Sequence, residues 1–360
     1  MIDHNKIVQI LRKVKDPRSG MDIVAAKMVE DLVVEGNNVN FSIVLNNNDQ
    51  GIKSELNFAC ISHIGDVYPN ANVNIHLKMK SDQSQESSSI LPQVKNIIAI
   101  ASGKGGVGKS TVATNLAIAL KHLGARVGLL DADVYGPSIP TMMGLVGQKP
   151  AIEMLYGKHK IVPLQAHGIY VMSIGFIVEP EQAVVLRGPR LGGVIRQFLG
   201  DCLWPELDYL LIDLPPGTGD VQLTLVQTVP VTGTVIVTTP QEIAIIDAIK
   251  AMNMFLLPHV NVPIIGVVEN MSWFTPEELP NNKYYIFGEG GGTRVAQMGN
   301  TVLLGQIPLI QGVRESSDNG SPIALDSRYA QYNTIAQNLV RQVNLRNESM
   351  EPTRIVKMEG

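Results

Sequence analysis

Residues 103–110 have the residue types and spacing of a phosphate-binding loop. They read GKGGVGKS, with four glycines and two lysines, and they meet the pattern G-x-x-x-x-G-K-[ST]. A short apolar strand at residues 97–101 precedes the loop and a helical segment follows it, which is the context that this pattern requires. Glycines allow successive backbone N–H groups to turn inward, and the helix adds its positive end, so the segment is predicted to bind a polyphosphate.

The two polar side chains at the end of this loop have separate predicted roles. Lys109 would reach the β- and γ-phosphates of a nucleotide, and the Ser110 hydroxyl would ligate the Mg²⁺ that bridges them. The residues predicted to contact the nucleotide in this loop are Gly103, Lys104, Gly105, Gly106, Val107, Gly108, Lys109, Ser110 and Thr111.

Carboxylates at the ends of two apolar runs complete the pattern of a hydrolysis site. Residues 127–133 read VGLLDAD, with Asp131 and Asp133 after a buried strand, and either acid could contact the attacking water. Residues 209–220 read YLLIDLPPGTGD and bring Asp213 to the magnesium. The Pro-Pro-Gly turn that follows, flexible at Gly217 and Gly219, is predicted to sense the γ-phosphate.

Residues 96–343 resemble the Mrp/ApbC group of deviant-Walker ATPases. The resemblance rests on four motifs in the same order, GKGGVGKS, LLDADVYGPS, LLIDLPPGTGD and VVENM. These proteins are relatives of MinD, ParA and the nitrogenase iron protein. The resemblance implies a slow ATP hydrolase that uses ATP and Mg²⁺, forms a homodimer and transfers iron–sulfur clusters, such as 4Fe–4S, to apoproteins. The competing functions are a MinD- or ParA-like spatial organiser and a metal-free ATP switch.

The resemblance also assigns catalytic and binding roles to four residues. Lys104 would reach the partner's phosphates across the dimer as a charge clamp. Together with Lys109, it is therefore predicted to be a catalytic residue. Asp133 matches the water-activating aspartate, and Asp213 the magnesium-side acid. Asn270 matches the asparagine that reads the adenine edge, although it could equally cap the turn after its strand.

A change in composition divides the chain into two domains. Residues 81–93 read SDQSQESSSILPQ, which predicts a flexible linker over residues 81–95. Residues 1–80 show helical spacing at 6–15, 23–33 and 54–64 and strands at 39–45 and 73–77, which predicts a small α+β domain. With VKDPRSGMDIV near its start, this domain resembles the MIP18-type domain.

Residues 96–345 alternate apolar runs with helical stretches, which predicts an α/β fold with a mostly parallel sheet and helices on both faces. The last helical stretch, residues 329–343, has an amphipathic pattern that suits either docking on the core or membrane targeting. Residues 346–360 are predicted to form a disordered tail.

The cysteine content conflicts with one family feature. Most Mrp-like proteins carry a Cys-x-x-Cys pair after the asparagine strand, but here residues 272–287 read SWFTPEELPNNKYYIF. The chain has two cysteines, Cys60 and Cys202. Cys202 suits a small buried side chain, whereas Cys60 is either a buried structural cysteine or a cluster ligand contributed by each copy of a homodimer.

Two other groups of side chains have alternative interpretations. The aromatic residues within 272–287 suit either a partner or dimer surface or a loop packed on its own domain. Arg187 and Arg190 suit either pairing with phosphate or carboxylate or the start of a surface helix.

Composition narrows the class of protein. A hydrophobic content of 45% with 17% charged residues is typical of a well-packed globular protein. No apolar run has the length of a membrane span, and the polar start lacks the features of a signal peptide, so we expect no membrane partner and a cytoplasmic location. The net charge of −4 gives no reason to expect a nucleic-acid partner.

Overall fold

The chain forms two compact units, residues 1–87 and residues 88–360. The computed structural model describes residues 2–17, 20–26, 28–45, 50–69, 71–79, 90–134, 136–155, 157–177 and 188–356. Each unit has a hydrophobic core of its own.

The first unit is a small α+β fold. Its elements are α1 (His4–Leu11), β1 (Val29–Glu35), β2 (Asn38–Leu45), α2 (Gln50–Val67) and β3 (Asn72–Met79). The sheet has the order β1-β2-β3, with β1 antiparallel and β3 parallel to β2. Side chains such as Ile7, Phe41 and Leu56 are buried between the helices and the sheet.

The predicted helix over residues 23–33 is wrong. The second half of this segment belongs to β1, where Val33 and Val34 pair with β2. β-Branched residues favour an extended backbone, and pairing with β2 prevails over the apparent helical spacing. The register shifts between Glu30 and Val33, and Asp31 at this irregularity has a φ of 53°.

The second unit contains an eight-stranded sheet, a two-stranded hairpin and eight α-helices among its described residues. The strands are β4 (Val94–Ala101), β5 (Val127–Asp131), β6 (Ile152–Leu155), β7 (Lys158–Ile161), β8 (Leu164–Ala166), β9 (Ile169–Ser173), β10 (Leu207–Asp213), β11 (Gly233–Thr238), β12 (Ile264–Phe274) and β13 (Leu303–Leu309). The helices are α3 (Lys109–His122), α4 (Ile139–Met142), α5 (Gly188–Gly200), α6 (Asp220–Val226), α7 (Glu242–Leu256), α8 (Gly291–Met298), α9 (Gln311–Asp318) and α10 (Gln331–Ser349).

The large sheet has the order β13-β12-β11-β4-β10-β5-β9-β8, and its pairs are parallel except for β8 with β9. Central strands such as β4 and β10 are apolar and buried on both sides, as expected of a parallel sheet covered by helices. The predicted α/β class, with a small α+β region before it, is confirmed.

Because the strands are parallel, three segments with predicted functions lie together at the carboxyl ends of the strands. Strand β4 leads into the 103–110 loop, β5 ends at Asp131 and β10 ends at Asp213. The register pairs Asp213 with Asp131 on one side and with Ile100 on the other. Both acids therefore lie beside the start of the loop.

The chain beyond residue 345 differs from the predicted disordered tail. Helix α10 continues to Ser349, and the Arg346 guanidinium donates to the Glu351 carbonyl and the Thr353 hydroxyl. The Val356 N–H donates to the Val226 carbonyl, so the segment after α10 is attached to the end of α6. At the other boundary β4 begins at Val94, inside the predicted linker, and residues 80–89 lie outside the described residues.

The apolar face of α10 packs into the core of the second unit. The side chains of Tyr332, Ile335, Leu339 and Val343 are at most 2% exposed. This is the docked arrangement of the two that the amphipathic pattern allowed. No α-helix in the described part of the chain has the length and apolar character needed to cross a membrane.

Candidate nucleotide-binding site

The 103–110 loop has the backbone geometry of an anion-binding loop. Gly106 and Gly108 have φ values of 83° and 80°, a left-handed conformation that glycine adopts without strain. Helix α3 begins at Lys109 and has no side-chain hydrogen bond capping its first turn. The N–H groups at the start of α3 therefore point toward the loop, together with the positive end of the helix dipole.

Close packing explains two of the glycines. A Cβ atom on Gly103 would collide with the backbone of Asp247 on α7, so a side chain cannot fit there. A Cβ atom on Gly108 would collide with the Asn270 side chain. Both positions must be glycine for the loop to lie against its neighbours.

Lys109 is buried among carboxylates at the mouth of the loop. Its Nζ lies 2.6 Å from Asp213 Oδ1 and 3.8 Å from Asp133 Oδ2. The side chains of Lys109, Asp213 and Asp133 are 6%, 0% and 14% exposed. The Lys109 ammonium also donates to Ser110 Oγ at 3.4 Å. The structure thus brings together the lysine, the serine and both acids to which the sequence assigned chemistry.

Asp131 is a supporting residue beneath this cluster. It is fully buried, accepts from Ser173 Oγ at 2.9 Å, and accepts from the Asp133 N–H at 3.1 Å. Burial, together with the nearby charge of Asp213, raises the pKa of Asp131 to about 8. Of the two acids in the DAD run, Asp133 is therefore the one that is available to a ligand, and Asp131 holds its backbone.

The donor set suits a magnesium ion. Asp213 Oδ2 is buried and has no hydrogen-bond partner in the described part of the chain. A buried carboxylate oxygen without a partner is costly, and a hydrated Mg²⁺ provides one. Asp213 is connected to the Ser110 hydroxyl through Lys109, which contacts both. Carboxylate and hydroxyl oxygens are the ligands that Mg²⁺ prefers, so the residues fit.

Lys104 has a different environment from Lys109. It is half-buried at the start of the loop, and its ammonium forms no ion pair with any residue that the structure describes. The Lys104 carbonyl accepts from Ser102 Oγ at 3.0 Å, which fixes the backbone but does not hold the side chain.

Asn270 contacts the loop directly. Its Nδ2 donates to the Val107 carbonyl at 2.9 Å, and the residue is 6% exposed. The predicted contact with adenine remains a prediction. The structure adds that Asn270 connects β12 to the phosphate loop, a role that its sequence context does not predict.

Gln222 and Ser173 are supporting residues that the sequence did not predict. Gln222 Nε2 donates to the carbonyls of Pro215 and Gly217 in the Pro-Pro-Gly turn, and Ser173 donates to Asp131. Neither residue belongs to a recognisable local motif. Their polar character in otherwise buried segments is the one signal that could have pointed to them.

Neither cysteine suits an iron–sulfur cluster. Cys60 is 0% exposed on α2, Cys202 is 5% exposed, and the two residues belong to different units. Burial raises the pKa of both thiols to about 12, whereas clusters are bound by thiolates. The described residues contain no group of three or more His, Cys, Asp or Glu side chains that could hold a metal ion. Of the two predicted roles of Cys60, its burial favours that of a structural core residue, and a ligand role remains a prediction.

The 272–287 segment forms a partly exposed arm. Strand β12 extends to Phe274, which exchanges backbone hydrogen bonds with Tyr284 at 2.9 and 2.8 Å. The Lys283 ammonium lies 4.1 Å from the centre of the Trp273 ring. Tyr284 and Ile286 are 45% and 58% exposed, so the arm is only partly packed on its own unit. Arg187 lies outside the described residues, as does the side chain of Arg190.

Comparison with known proteins identifies the family. A family model described as the NUBPL iron-transfer P-loop NTPase matches residues 93–344, which include the whole loop and acid cluster. The chain belongs to this family. A second model, described as an iron–sulfur cluster assembly protein, matches residues 4–77 of the first unit. These matches confirm the predicted resemblance for both parts of the NUBPL-type chain.

Several curated relatives of this NUBPL-type NTPase carry the same name. The "Iron-sulfur cluster carrier protein" of Synechocystis is 44% identical over 331 residues, covering 90% of this chain and 92% of the relative. The protein of the same name from Deinococcus radiodurans is 41% identical over 356 residues, with 98% and 99% covered. An Escherichia coli protein of that name is 49% identical over 250 residues, with 69% and 66% covered.

Solved structures support the fold. A nucleotide-binding protein from Archaeoglobus fulgidus in complex with ADP has a TM-score of 0.57 and 37% identity, covering 68% of this chain and 94% of that chain. The cell-division ATPase MinD of Pyrococcus furiosus has a TM-score of 0.51 and 22% identity, covering 69% and 99%. At that identity the MinD similarity concerns the fold alone.

Proposed function

We propose that this chain is a magnesium-dependent ATPase that works as a homodimer in the maturation of iron–sulfur proteins. The observation that carries the proposal is the buried cluster of Lys109, Asp213 and Asp133 at the mouth of a loop with open backbone N–H groups. Such a cluster supplies the ammonium, the metal-side acid and the water-side acid that phosphoryl transfer needs.

Nucleotide binding would separate the buried ion pair. The loop amides and Lys109 would bind the phosphates, while Ser110 and Asp213 would hold Mg²⁺, which neutralises charge on the phosphate oxygens when it is bound. Lys109 and Asp213 neutralise each other at 2.6 Å, so each would exchange its partner for a ligand. The Asn270 contact with the Val107 carbonyl keeps the loop in place during this exchange.

Hydrolysis would use Asp133 in the same chain and Lys104 from the other copy. Asp133 is partly open to solvent, and its backbone is fixed by Asp131, so its carboxylate can orient a water molecule toward the γ-phosphorus and take its proton. The ammonium of Lys104 is free of ion pairs among the described residues, which suits a contact with the nucleotide of the partner. Charge clamps of this kind are worth about 10³ to 10⁵ in rate.

An iron–sulfur cluster would be cargo of this chain, in line with the name that its relatives share. Because the thiols of Cys60 and Cys202 are buried and protonated at neutral pH, we infer that the ligands of any such cluster come from a partner protein. The chain would supply the ATP-driven change of the interface between copies.

A complementation experiment tests the proposed division of labour between subunits. Lys104→Ala and Asp133→Asn proteins, each inactive alone, are mixed in equal amounts and assayed for phosphate release. If Lys104 acts across the dimer, a mixed dimer has one complete site, because the Asp133→Asn chain supplies its lysine to the other chain. Activity of about a quarter of the wild-type value is expected after random exchange.

The outcomes separate the parts of the proposal. An inactive mixture, with mixed dimers shown by differently tagged chains, would place Lys104 in its own site and contradict the clamp. A Lys104→Ala protein that hydrolyses ATP at the wild-type rate would contradict the catalytic role of this lysine altogether.

A further inference from the structure

Gln222 holds the turn that follows the magnesium-side acid. It lies on α6 and is 1% exposed, and its Nε2 donates to the Pro215 carbonyl at 2.8 Å and to the Gly217 carbonyl at 3.0 Å. A side-chain amide nitrogen carries two hydrogens, so the turn uses both. The turn begins two residues after Asp213, so one buried amide determines where the backbone after this acid lies.

The same turn is hydrogen-bonded to the phosphate loop. The Gly217 N–H donates to the Ser102 carbonyl at 2.9 Å, and Ser102 Oγ donates to the Lys104 carbonyl at 3.0 Å. A Cβ atom built on Gly105 would lie 3.9 Å from the Pro216 ring, so this ring lies near the loop at Gly105. A continuous series of hydrogen bonds therefore runs from α6, through the turn, to the backbone of Lys104.

The environment of the Gln222 amide oxygen indicates that the side chain is oriented to hydrogen-bond the turn. Oε1 is buried and accepts no hydrogen bond from any described residue, and it faces Gly219, whose Cβ would lie 3.6 Å away. A buried acceptor without a partner is destabilising. Reversing the amide would place Oε1 against the carbonyl oxygens of Pro215 and Gly217, which are acceptors as well, and would leave both carbonyls without their donor. The observed orientation keeps the turn fixed although it leaves the oxygen unsatisfied.

The turn contains a glycine in an unusual backbone conformation. Gly217 has a φ of 95°, a left-handed conformation that other residues rarely adopt. We propose that Gln222 is a positioning residue for ATP hydrolysis, which sets the distance between the Pro215–Gly217 turn and the γ-phosphate held by the loop. The inference rests on the proposed function, because it needs ATP in the 103–110 loop.

The test compares the same substitution, glutamine to methionine, at one position within α6 and at the C-cap of this helix. Gln222→Met removes both donors and keeps the length of the side chain, whereas Gln227→Met changes a half-buried glutamine at the C-cap of the same helix. For Gln222→Met we expect an ATP dissociation constant within about threefold of wild type and a kcat about 10²-fold lower, because small displacements of positioning groups cost this much. Gln227→Met should match wild type in both measurements.

The results distinguish this inference from the proposed function. If Gln222→Met hydrolyses ATP as fast as Gln227→Met, the inference is overturned and the proposed function stands. If the wild-type protein neither binds nor hydrolyses ATP, both are overturned. A loss of ATP binding equal to the loss of kcat would make Gln222 a structural residue of the pocket and would also overturn the positioning role.

A measurement on the wild-type protein keeps the inference testable if Gln222→Met does not fold. Hydrogen exchange of the Gly217 amide is followed with Mg²⁺ and a non-hydrolysable ATP analogue, and then with Mg²⁺ and ADP. We expect slower exchange with the ATP analogue, since the γ-phosphate would order the turn against the loop. Equal exchange in the two states would mean that the turn does not read the γ-phosphate.

Discussion

The ammonium of Lys109 lies 2.6 Å from Asp213 Oδ1, and both side chains are almost completely excluded from solvent. A buried pair of this kind has lost the hydration of two charges, so its members depend on each other. The same two residues are the ones proposed to bind phosphate and Mg²⁺. The charges that are proposed to bind phosphate and Mg²⁺ therefore neutralise each other in this structure.

Substitution of Lys109 by Ala should affect stability as well as nucleotide binding. The change leaves Asp213 buried without its cation, and breaking a buried pair in this way costs about 3–5 kcal/mol. We expect a lower free energy of unfolding in urea, measured without nucleotide, and no detectable ATP binding. The double variant Lys109→Ala/Asp213→Asn should recover part of the stability and none of the binding. A Lys109→Ala protein as stable as wild type would contradict the importance of the pair.

Substitution of Lys104 by Ala should leave stability and ATP binding almost unchanged and reduce hydrolysis. The Lys104 ammonium forms no ion pair with the described residues, so its removal should change the free energy of unfolding by less than about 0.5 kcal/mol. ATP binding should stay within about threefold of wild type, and hydrolysis should fall by about 10³-fold or more. Titration with a fluorescent ATP analogue and a phosphate-release assay measure the two effects. An equal loss of binding in the Lys104 and Lys109 variants would refute the different roles of the two lysines.

The buried carboxyl of Asp131 should make stability depend on pH. Its pKa is raised from 3.8 to about 8 in the folded protein, mainly by burial. Between these values the folded state holds a proton that the unfolded state releases, so the stabilising contribution is present below about pH 4 and is lost as the pH rises to about 8. In nucleotide-free protein with EDTA, the free energy of unfolding of Asp131→Asn should fall less between pH 5 and pH 8 than that of wild type. Identical slopes would mean that Asp131 is ionised throughout.

Anaerobic treatment with ferrous iron and sulfide should leave no cluster on the cysteines of this chain. Both thiols are buried and have pKa values of about 12, so neither is a thiolate near pH 7. Bound iron per chain and the visible absorption spectrum should be the same for wild type, Cys60→Ser and Cys202→Ser. A Thr275→Cys/Glu278→Cys variant, which places a Cys-x-x-Cys pair in the arm, serves as the control that should gain iron. A cluster that is present in wild type and lost in Cys60→Ser would restore the ligand role of that residue.

The parts of the site that the sequence predicted are those that depend on local patterns. The 103–110 loop is a contiguous motif, and Asp133 and Asp213 follow apolar runs whose parallel pairing brings their ends together. Gln222 was missed because its side chain reaches back seven and five residues to the turn before α6, a contact that none of the sequence motifs describes.

The errors in the fold have a similar cause. A helix was predicted over residues 23–33, but the second half of this segment belongs to β1. Its local sequence does not clearly favour helix or strand, so pairing with β2 determines its conformation. The tail predicted after residue 345 is attached to the second unit through the Val356 N–H, which donates to the Val226 carbonyl, a group that is distant in sequence. Cys60 was assigned two alternatives, and its complete burial on α2 favours the structural one.

A crystal structure with Mg²⁺ and a non-hydrolysable ATP analogue would test the proposed site and the proposed dimer together. We predict that the β- and γ-phosphates lie on the backbone amides of residues 105–110 and that Lys109 Nζ has moved from Asp213 to the phosphates. We also predict that Lys104 of a second copy contacts the same nucleotide. An analogue bound elsewhere, with Lys109 still 2.6 Å from Asp213 and no phosphate in the loop, would contradict the proposed function.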